Sequence, residues 1–271
     1  QEKNLLTQIF RLFTQSDVDV SSGYVDRYMK IFKKPEARMM MGAFNNMESI
    51  HQHAYSLLLD TVGMPEVEYK AFADYEAMAD KHEYIDAIKV SKGDKRSIAK
   101  ALAVYSGFTE GLQLFSSFII LLNFPRFGKM KGMGQIITYS IRDESLHVEA
   151  MTKLFREFIQ ENIDIWDDEF KAEIYQACRE MVTLEDRFLE LVFEEGDIEG
   201  LTQAEMQEYI RYIADRRLLQ LGLKPNYDIK NNPLNWLDDV LGVEHQNFFE
   251  GRATTYMKAG MRGDVNKVSF V

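Results

Sequence analysis

Apolar residues along this chain recur at the three- and four-residue spacing of a helix, and no stretch of useful length shows the strict alternation of a strand. Leu5 to Thr14 follows the helical period, and a second helix is predicted from Pro35 to about Leu59, closed by the Gly and Pro of "TVGMPE". After Gly93 the sequence reads helical to Asn123, and "PRFGKMKGMG" (Pro125 to Gly134) reads as a loop. Three more helices are predicted, over Gln135 to Gln160, Asp167 to Gly196 and Leu201 to Leu223, and Lys224 to Trp236 reads as irregular. No period of repetition interrupts this order. The pattern predicts one all-α domain of long helices.

Within those apolar helices the exceptions carry the chemistry. In "NNMESIHQHAYSLLLD" Glu48 and His51 are three residues apart and Tyr55 lies one turn further on; in "SIRDESLHVEAM" Glu144 and His147 repeat the spacing. Residues i and i+3 share a helix face, so each pair can reach one metal ion. Two such pairs, with one more carboxylate from each of two other helices, make a bridged dinuclear site in a four-helix bundle. Glu110, alone among apolar and small residues in "AVYSGFTEGLQLFSSF", is one candidate, because an unpaired buried carboxylate is costly. Asp17 and Asp19 compete for the other place, and spacing alone does not choose between them. Four carboxylates and two neutral imidazoles balance two divalent cations, so the cluster can be buried with metal, whereas without it the carboxylates would repel one another or take up protons. Oxygen and imidazole donors suit iron or manganese.

Composition narrows the class. The 271 residues are 46% hydrophobic, enough for a sizeable core, and the formal net charge is -11, from 32 basic and 43 acidic residues. So acidic a chain is a poor nucleic-acid ligand. The lone Cys178 cannot form an internal disulfide, which fits a reducing, cytoplasmic setting, and no apolar run has the length of a membrane span. The chain opens at Gln1 without a Met or a signal-peptide pattern, so part of the natural N-terminus is expected to precede it. His53, His82 and His245 have no ligand-like partners and read as structural; Met39, Met40 and Met41 read as core filler.

Asp17, then Glu48-Ser-Ile-His51, then Glu110, then Glu144-Ser-Leu-His147, at these separations, resembles the small, radical-generating subunit of class I ribonucleotide reductase. The likeness runs from "TQIFRLFTQSD" to "NFFEGRATTYMKAG", and it selects Asp17 over Asp19 as the sixth ligand. It implies a ferritin-like bundle over residues 1–250, with residues 251–271 as a tail that contacts the large subunit. It also implies two metal ions per chain, iron first, with manganese or a mixed manganese-iron centre as variants. In the family the reduced centre reacts with oxygen and oxidises a tyrosine. That oxidant passes to a cysteine of the large, catalytic subunit, which reduces ribonucleotides to deoxyribonucleotides. The tyrosine maps onto Tyr55, which spacing also puts on the His51 side of its helix.

Asp143 matches the position that hydrogen-bonds a ligand histidine, although beside Arg142 it also reads as a surface ion pair. Tyr256 matches the C-terminal tyrosine that hands the oxidant on, and Glu250 a position tied to that transfer. The family is usually a homodimer. Two departures stand out. The relay tryptophan expected well upstream of Asp17 has no counterpart in the sixteen residues before it, since Trp166 and Trp236 lie far downstream, and Ser140 stands where the pocket beside the tyrosine is usually apolar, unlike Leu114 and Phe118. Other readings of the same bundle are a ligand-binding dimetal oxidase and an iron-storage protein.

Overall fold

The computed structural model describes residues 1–63, 75–91 and 93–242; within these, the side chains of 13–22, 238, 239, 241 and 242 are not described. Helix α1 (Glu2–Gly23) continues through a π-helical turn, Tyr24–Tyr28, into Met29–Ile31. Then come α2 (Pro35–Val62), α3 (Glu76–Asp86), α4 (Lys95–Arg126), α5 (Lys131–Glu161), a 3-10 turn at Ile163–Ile165, α6 (Asp168–Val192), α7 (Gln203–Gln220) and α8 (Asn235–Gly242). No strand occurs among the described residues, only an isolated bridge between Ile198 and Leu201. The all-α expectation holds. The chain divides into a compact unit Gln1–Leu234 and a unit Asn235–Val271, of which α8 is described; the boundary expected at residue 250 lies outside the described residues.

Local chemistry sets the helix ends. Pro35 sits in the first turn of α2, where a missing N–H costs nothing, and Gly63 closes it at φ 74°, donating back to the Leu59 and Asp60 carbonyls. Asp167 caps α6 by accepting from the Phe170 N–H, and Thr202 and Glu205 form a reciprocal capping box on α7. The expected loop from Pro125 to Gly134 is shorter in the structure. Pro125 lies in the last turn of α4, and α5 already begins at Lys131, after Met130 turns the chain at φ 49°. Gly134 permits this, since a Cβ there would meet Pro125 Cγ at 2.3 Å. Helix α3 has no counterpart in the sequence reading. It is short, and Lys81, one of its three buried side chains, is charged and paired with Glu185 of α6 at 2.6 Å.

The core is built around α4. It packs against α5 on one side and α6 and α7 on the other, while α2 packs on α1 and α5. Among the described residues α4 is the one helix long and apolar enough to cross a membrane, and that apolar window is wholly buried in the protein. Its middle, Leu102–Gln113, is π-helical and every residue there is buried. Cys178 is buried as well, which pushes its thiol up to about 12 and leaves it unreactive.

Candidate metal centre

The buried face of α2 is Met41, Phe44, Glu48, His51, Tyr55, Leu58 and Leu59, so the polar trio occupies core positions of an otherwise apolar stripe. On α5 the inward face includes Ile137, Ser140, Ile141, Glu144, His147, Val148 and Met151. Facing helices thus bring the two Glu-x-x-His pairs together. Glu48, Glu110, Glu144 and His147 each offer a ligand atom, and these atoms all lie within 4.8 Å of one another. All four are at most 2% exposed.

The two pairs interlock. Glu48 places Oε2 3.5 Å from His51 Nδ1 and Oε1 3.0 Å from His147 Nδ1. Glu144 does the same, with Oε1 3.3 Å from His51 Nδ1 and Oε2 3.4 Å from His147 Nδ1. Each carboxylate therefore presents one oxygen to each imidazole, and the two rings are 6.5 Å apart. That is a layout for two cations, each next to one histidine, with two carboxylates spanning them. Glu110 adds an oxygen on the His147 side. Asp17 is on α1, but its side chain, like that of Asp19, lies outside the described residues.

The donor atoms fit a metal and fit poorly with the protein groups around them. Despite those short distances, both oxygens of Glu48 and of Glu144, Glu110 Oε2 and His147 Nδ1 lack a hydrogen bond of proper geometry. Six buried polar atoms of carboxylate and imidazole type, aimed at one spot without partners, is an arrangement that native cores otherwise avoid. Protonation responds accordingly. Burial, reinforced by Glu144 and Glu48 against the pull of His147, pushes the Glu110 carboxyl well above its ordinary range. Burial acts against charge on His147 too, yet the carboxylates beside it push that imidazole up to about 10. Protons and cations thus compete for the same sites, and metal uptake releases protons.

The surroundings distinguish the two histidines. His51 Nε2 lies 3.3 Å from Asp143 Oδ2, while Arg142 donates to the other oxygen of Asp143 from Nε at 3.0 Å and Nη2 at 2.9 Å. The ion pair and the imidazole contact therefore coexist on one carboxylate. His147 Nε2 faces Met47 Sδ at 3.4 Å. Tyr55, 2% exposed, donates to Ser140 Oγ at 2.6 Å, and Ser140 in turn donates to the Ile136 carbonyl at 3.2 Å. The serine at the usually apolar position is thus the acceptor for the tyrosine. Leu114 and Phe118 are buried.

Tyr24 went unnoticed in the sequence. Its hydroxyl donates to Glu110 Oε1 at 2.6 Å, and burial and that carboxylate keep the phenol protonated. The available signal was its place seven residues after Asp17, two helical turns along α1.

Glu110 owes its position to the π-helical segment. There the Leu114 N–H bonds the Thr109 carbonyl, five residues back. Such segments carry one extra residue per turn and cluster at functional sites. Arg217 of α7 supports this one, with Nε donating to the Gly111 carbonyl at 2.7 Å and the guanidinium 5.0 Å from the Phe115 ring. Burial alone lowers Arg217, to about 10. A Cβ on Gly111 would lie 2.6 Å from Nε and 3.2 Å from Val148 Cγ2. Gly111→Ala should therefore displace a buried guanidinium from its acceptor and cost about 3 kcal/mol. Urea unfolding of the metal-free protein measures it; a loss below about 1 kcal/mol would mean Arg217 is not essential to this segment.

Comparison with known proteins agrees with this geometry. The family profile described as ribonucleotide reductase, small chain, matches residues 1–233. The chain belongs to the ribonucleotide reductase small-chain family. The protein named "Probable ribonucleoside-diphosphate reductase small subunit 376L" of Invertebrate iridescent virus 6 is 43% identical over 304 residues, covering 98% of this chain and 84% of the viral protein. The ribonucleoside-diphosphate reductase subunit beta of Chlamydia pneumoniae is 28% identical, over 96% of this chain and 78% of its own. Among solved structures, the ribonucleotide reductase R2 subunit from Clostridium botulinum superposes with a TM-score of 0.80 at 26% identity, covering 88% of this chain and 76% of that one. The bundle is thus the ferritin-like fold of these small subunits, the activity is that of a ribonucleoside-diphosphate reductase small subunit, and the buried cluster is a dinuclear metal site. Neither the ligand-binding oxidase nor the iron-storage reading is favoured by these relatives.

Proposed function

We propose that Glu48, His51, Glu110, Glu144 and His147, with Asp17, hold the two metal ions, and that Tyr55 stores the oxidant this centre generates. The observation that carries the reading is the interlocked set of unpartnered oxygens, two carboxylates each facing both imidazoles. Glu48 and Glu144, which each face both imidazoles, would be shared between the ions, while His51 would serve one and His147 with Glu110 the other; Asp17 would complete the set. Iron is the metal we assign, since hard oxygens with imidazole suit it; manganese or a mixed pair fits the same donors. When bound, a reduced metal pair would supply electrons for the activation of dioxygen. Tyr55 would be the residue oxidised beside it, its electron and phenolic proton passing to the oxygen being reduced, and its burial would exclude water from the radical. Asp143 fixes the ring of His51 through Nε2, so that Nδ1 faces the metal.

The partner is the large, catalytic subunit of the reductase, with residues 251–271 as the contacting tail and Tyr256 as the relay residue; Glu250 and Tyr256 lie outside the described residues. A homodimer is the assembly we assign. On α2, Met39, Ile50 and Leu57 are 75%, 59% and 53% exposed along one helical stripe, which supports association of apolar faces. Buried, unreactive Cys178 suits a reducing cytoplasm.

The test uses protein loaded with Fe(II), exposed to oxygen and mixed with a class I large subunit. Elemental analysis should give about two ions per chain, low-temperature paramagnetic resonance an organic radical, and the mixture deoxynucleotide. Tyr256→Phe should form the same centre and radical yet lose turnover by about 100-fold or more, since phenylalanine cannot be oxidised at an accessible potential. Normal turnover in that variant would remove Tyr256 from the relay. Loss of both radical and turnover would assign it a folding role instead.

A further inference from the structure

Glu110 differs from the other two carboxylates of the cluster. Glu48 and Glu144 have both oxygens without hydrogen bonds, whereas Glu110 has only Oε2 without one. Its Oε1 accepts the Tyr24 hydroxyl at 2.6 Å. Tyr24 is in no position to swing away. It is 1% exposed, its ring lies 5.8 Å from Phe44 and 6.0 Å from His147 in edge-on contacts, and its own carbonyl is tied by the Met29 N–H across the π-helical turn. The backbone beyond Glu110 is held as well, through Arg217 on the Gly111 carbonyl. Side chain and main chain are thus fixed from two different helices.

We propose that Tyr24 is a positioning residue that occupies Glu110 Oε1, so that this carboxylate offers Oε2 alone to the ion beside His147. The inference rests on the ligand set assigned above. A carboxylate with both oxygens open can bind a cation through either or both, and can swing across to a neighbouring ion. One whose second oxygen sits in a buried, charge-assisted hydrogen bond must break that bond first, leaving a phenol unpaired in the core. Tyr24 thereby makes the two metal positions unequal, adding to the difference between Asp143 behind His51 and Met47 behind His147.

Two measurements decide it. The first titrates Mn(II) into metal-free protein and follows the free ion by paramagnetic resonance, with thermal unfolding of the metal-free protein as a control. Tyr24→Phe should unfold within a few degrees of the parent, keep one site at parental affinity and weaken the other by about 10-fold, the usual size of an outer-sphere loss. Unchanged affinity at both sites of the folded variant would overturn the proposal, because a purely structural hydroxyl would move the unfolding temperature and not one site alone. The second needs no variant: a crystal structure of the Mn(II)-loaded parent should show Glu110 Oε2 on the metal and Oε1 still on Tyr24. Both oxygens on metal overturns the role of Tyr24 while leaving the ligand assignment intact. A parent that takes up no Mn(II) at this cluster overturns both.

Discussion

Glu110→Gln should make the metal-free protein more stable and the metal-loaded protein less so. In the metal-free state burial and the charges of Glu144 and Glu48 push the Glu110 carboxyl upward, so its ionised form opposes folding. A glutamine keeps an acceptor for the Tyr24 hydroxyl at the place of Oε1. Its amide donor takes the place of Oε2, which has no partner, among carboxylate oxygens that also lack one. The carboxyl must take up a proton to be buried neutral, whereas the amide is neutral already, and this should add about 1–3 kcal/mol at neutral pH. At about 2–4 °C per kcal/mol for a chain of this size, calorimetry resolves it. With metal the sign reverses. The amide nitrogen is no ligand, so metal content should fall from about two ions per chain to one or fewer, and stabilisation by bound metal shrinks with the lost affinity. A variant that keeps both ions, or whose metal-free form loses stability, would mean Glu110 is an ordinary buried acid and not part of the centre.

The buried Glu and His cluster was largely legible in the sequence because its residues obey the helix period. Glu48 with His51 and Glu144 with His147 sit three apart inside apolar stripes, and burial of both pairs follows from packing α2 on α5. Asp143 was legible as one of two alternatives, and the structure realises both on separate oxygens. What the sequence hid depends on tertiary context. The π-helical segment Leu102–Gln113 is buried on all sides, so its composition has no amphipathic phase to betray a change of pitch. Gly111 reads as a mild helix weakener until Arg217, more than a hundred residues later, is seen bonded to its carbonyl. Tyr24 lies two regular turns after Asp17, but its role shows only through Glu110, which comes 86 residues later and is reached by its hydroxyl. Helix α3 was missed for a related reason: one of its three inward residues is Lys81, legible as buried only through its partner Glu185.

Tyr55→Phe should keep both metal ions, lose the organic radical and reduce turnover with the large subunit by about 100-fold or more. The substitution preserves ring volume in a core position and removes no ligand. Its structural cost is the hydrogen bond to Ser140, about 1 kcal/mol, too little to disturb a centre held by two helices. Spin counting, elemental analysis and turnover on one preparation separate the outcomes. Turnover that survives without Tyr55 would put the stored oxidant on the metals and move the manganese-containing centres ahead of iron. Ser140→Ala then asks what the serine does. Ser140 Oγ accepts from Tyr55 while its own proton is committed to the Ile136 carbonyl, so it is a poor base but a fixed dipole beside the phenol oxygen. Once Tyr55 has lost its proton, Ser140 can bond the radical oxygen only by turning its own proton from the Ile136 carbonyl, and Ser140→Ala should then leave the radical in place with an altered g-value along the C–O axis in high-field resonance, because that component follows hydrogen bonding at the oxygen. An identical spectrum would show that the Ser140 proton stays on Ile136, and the 2.6 Å contact would then belong to the resting phenol alone.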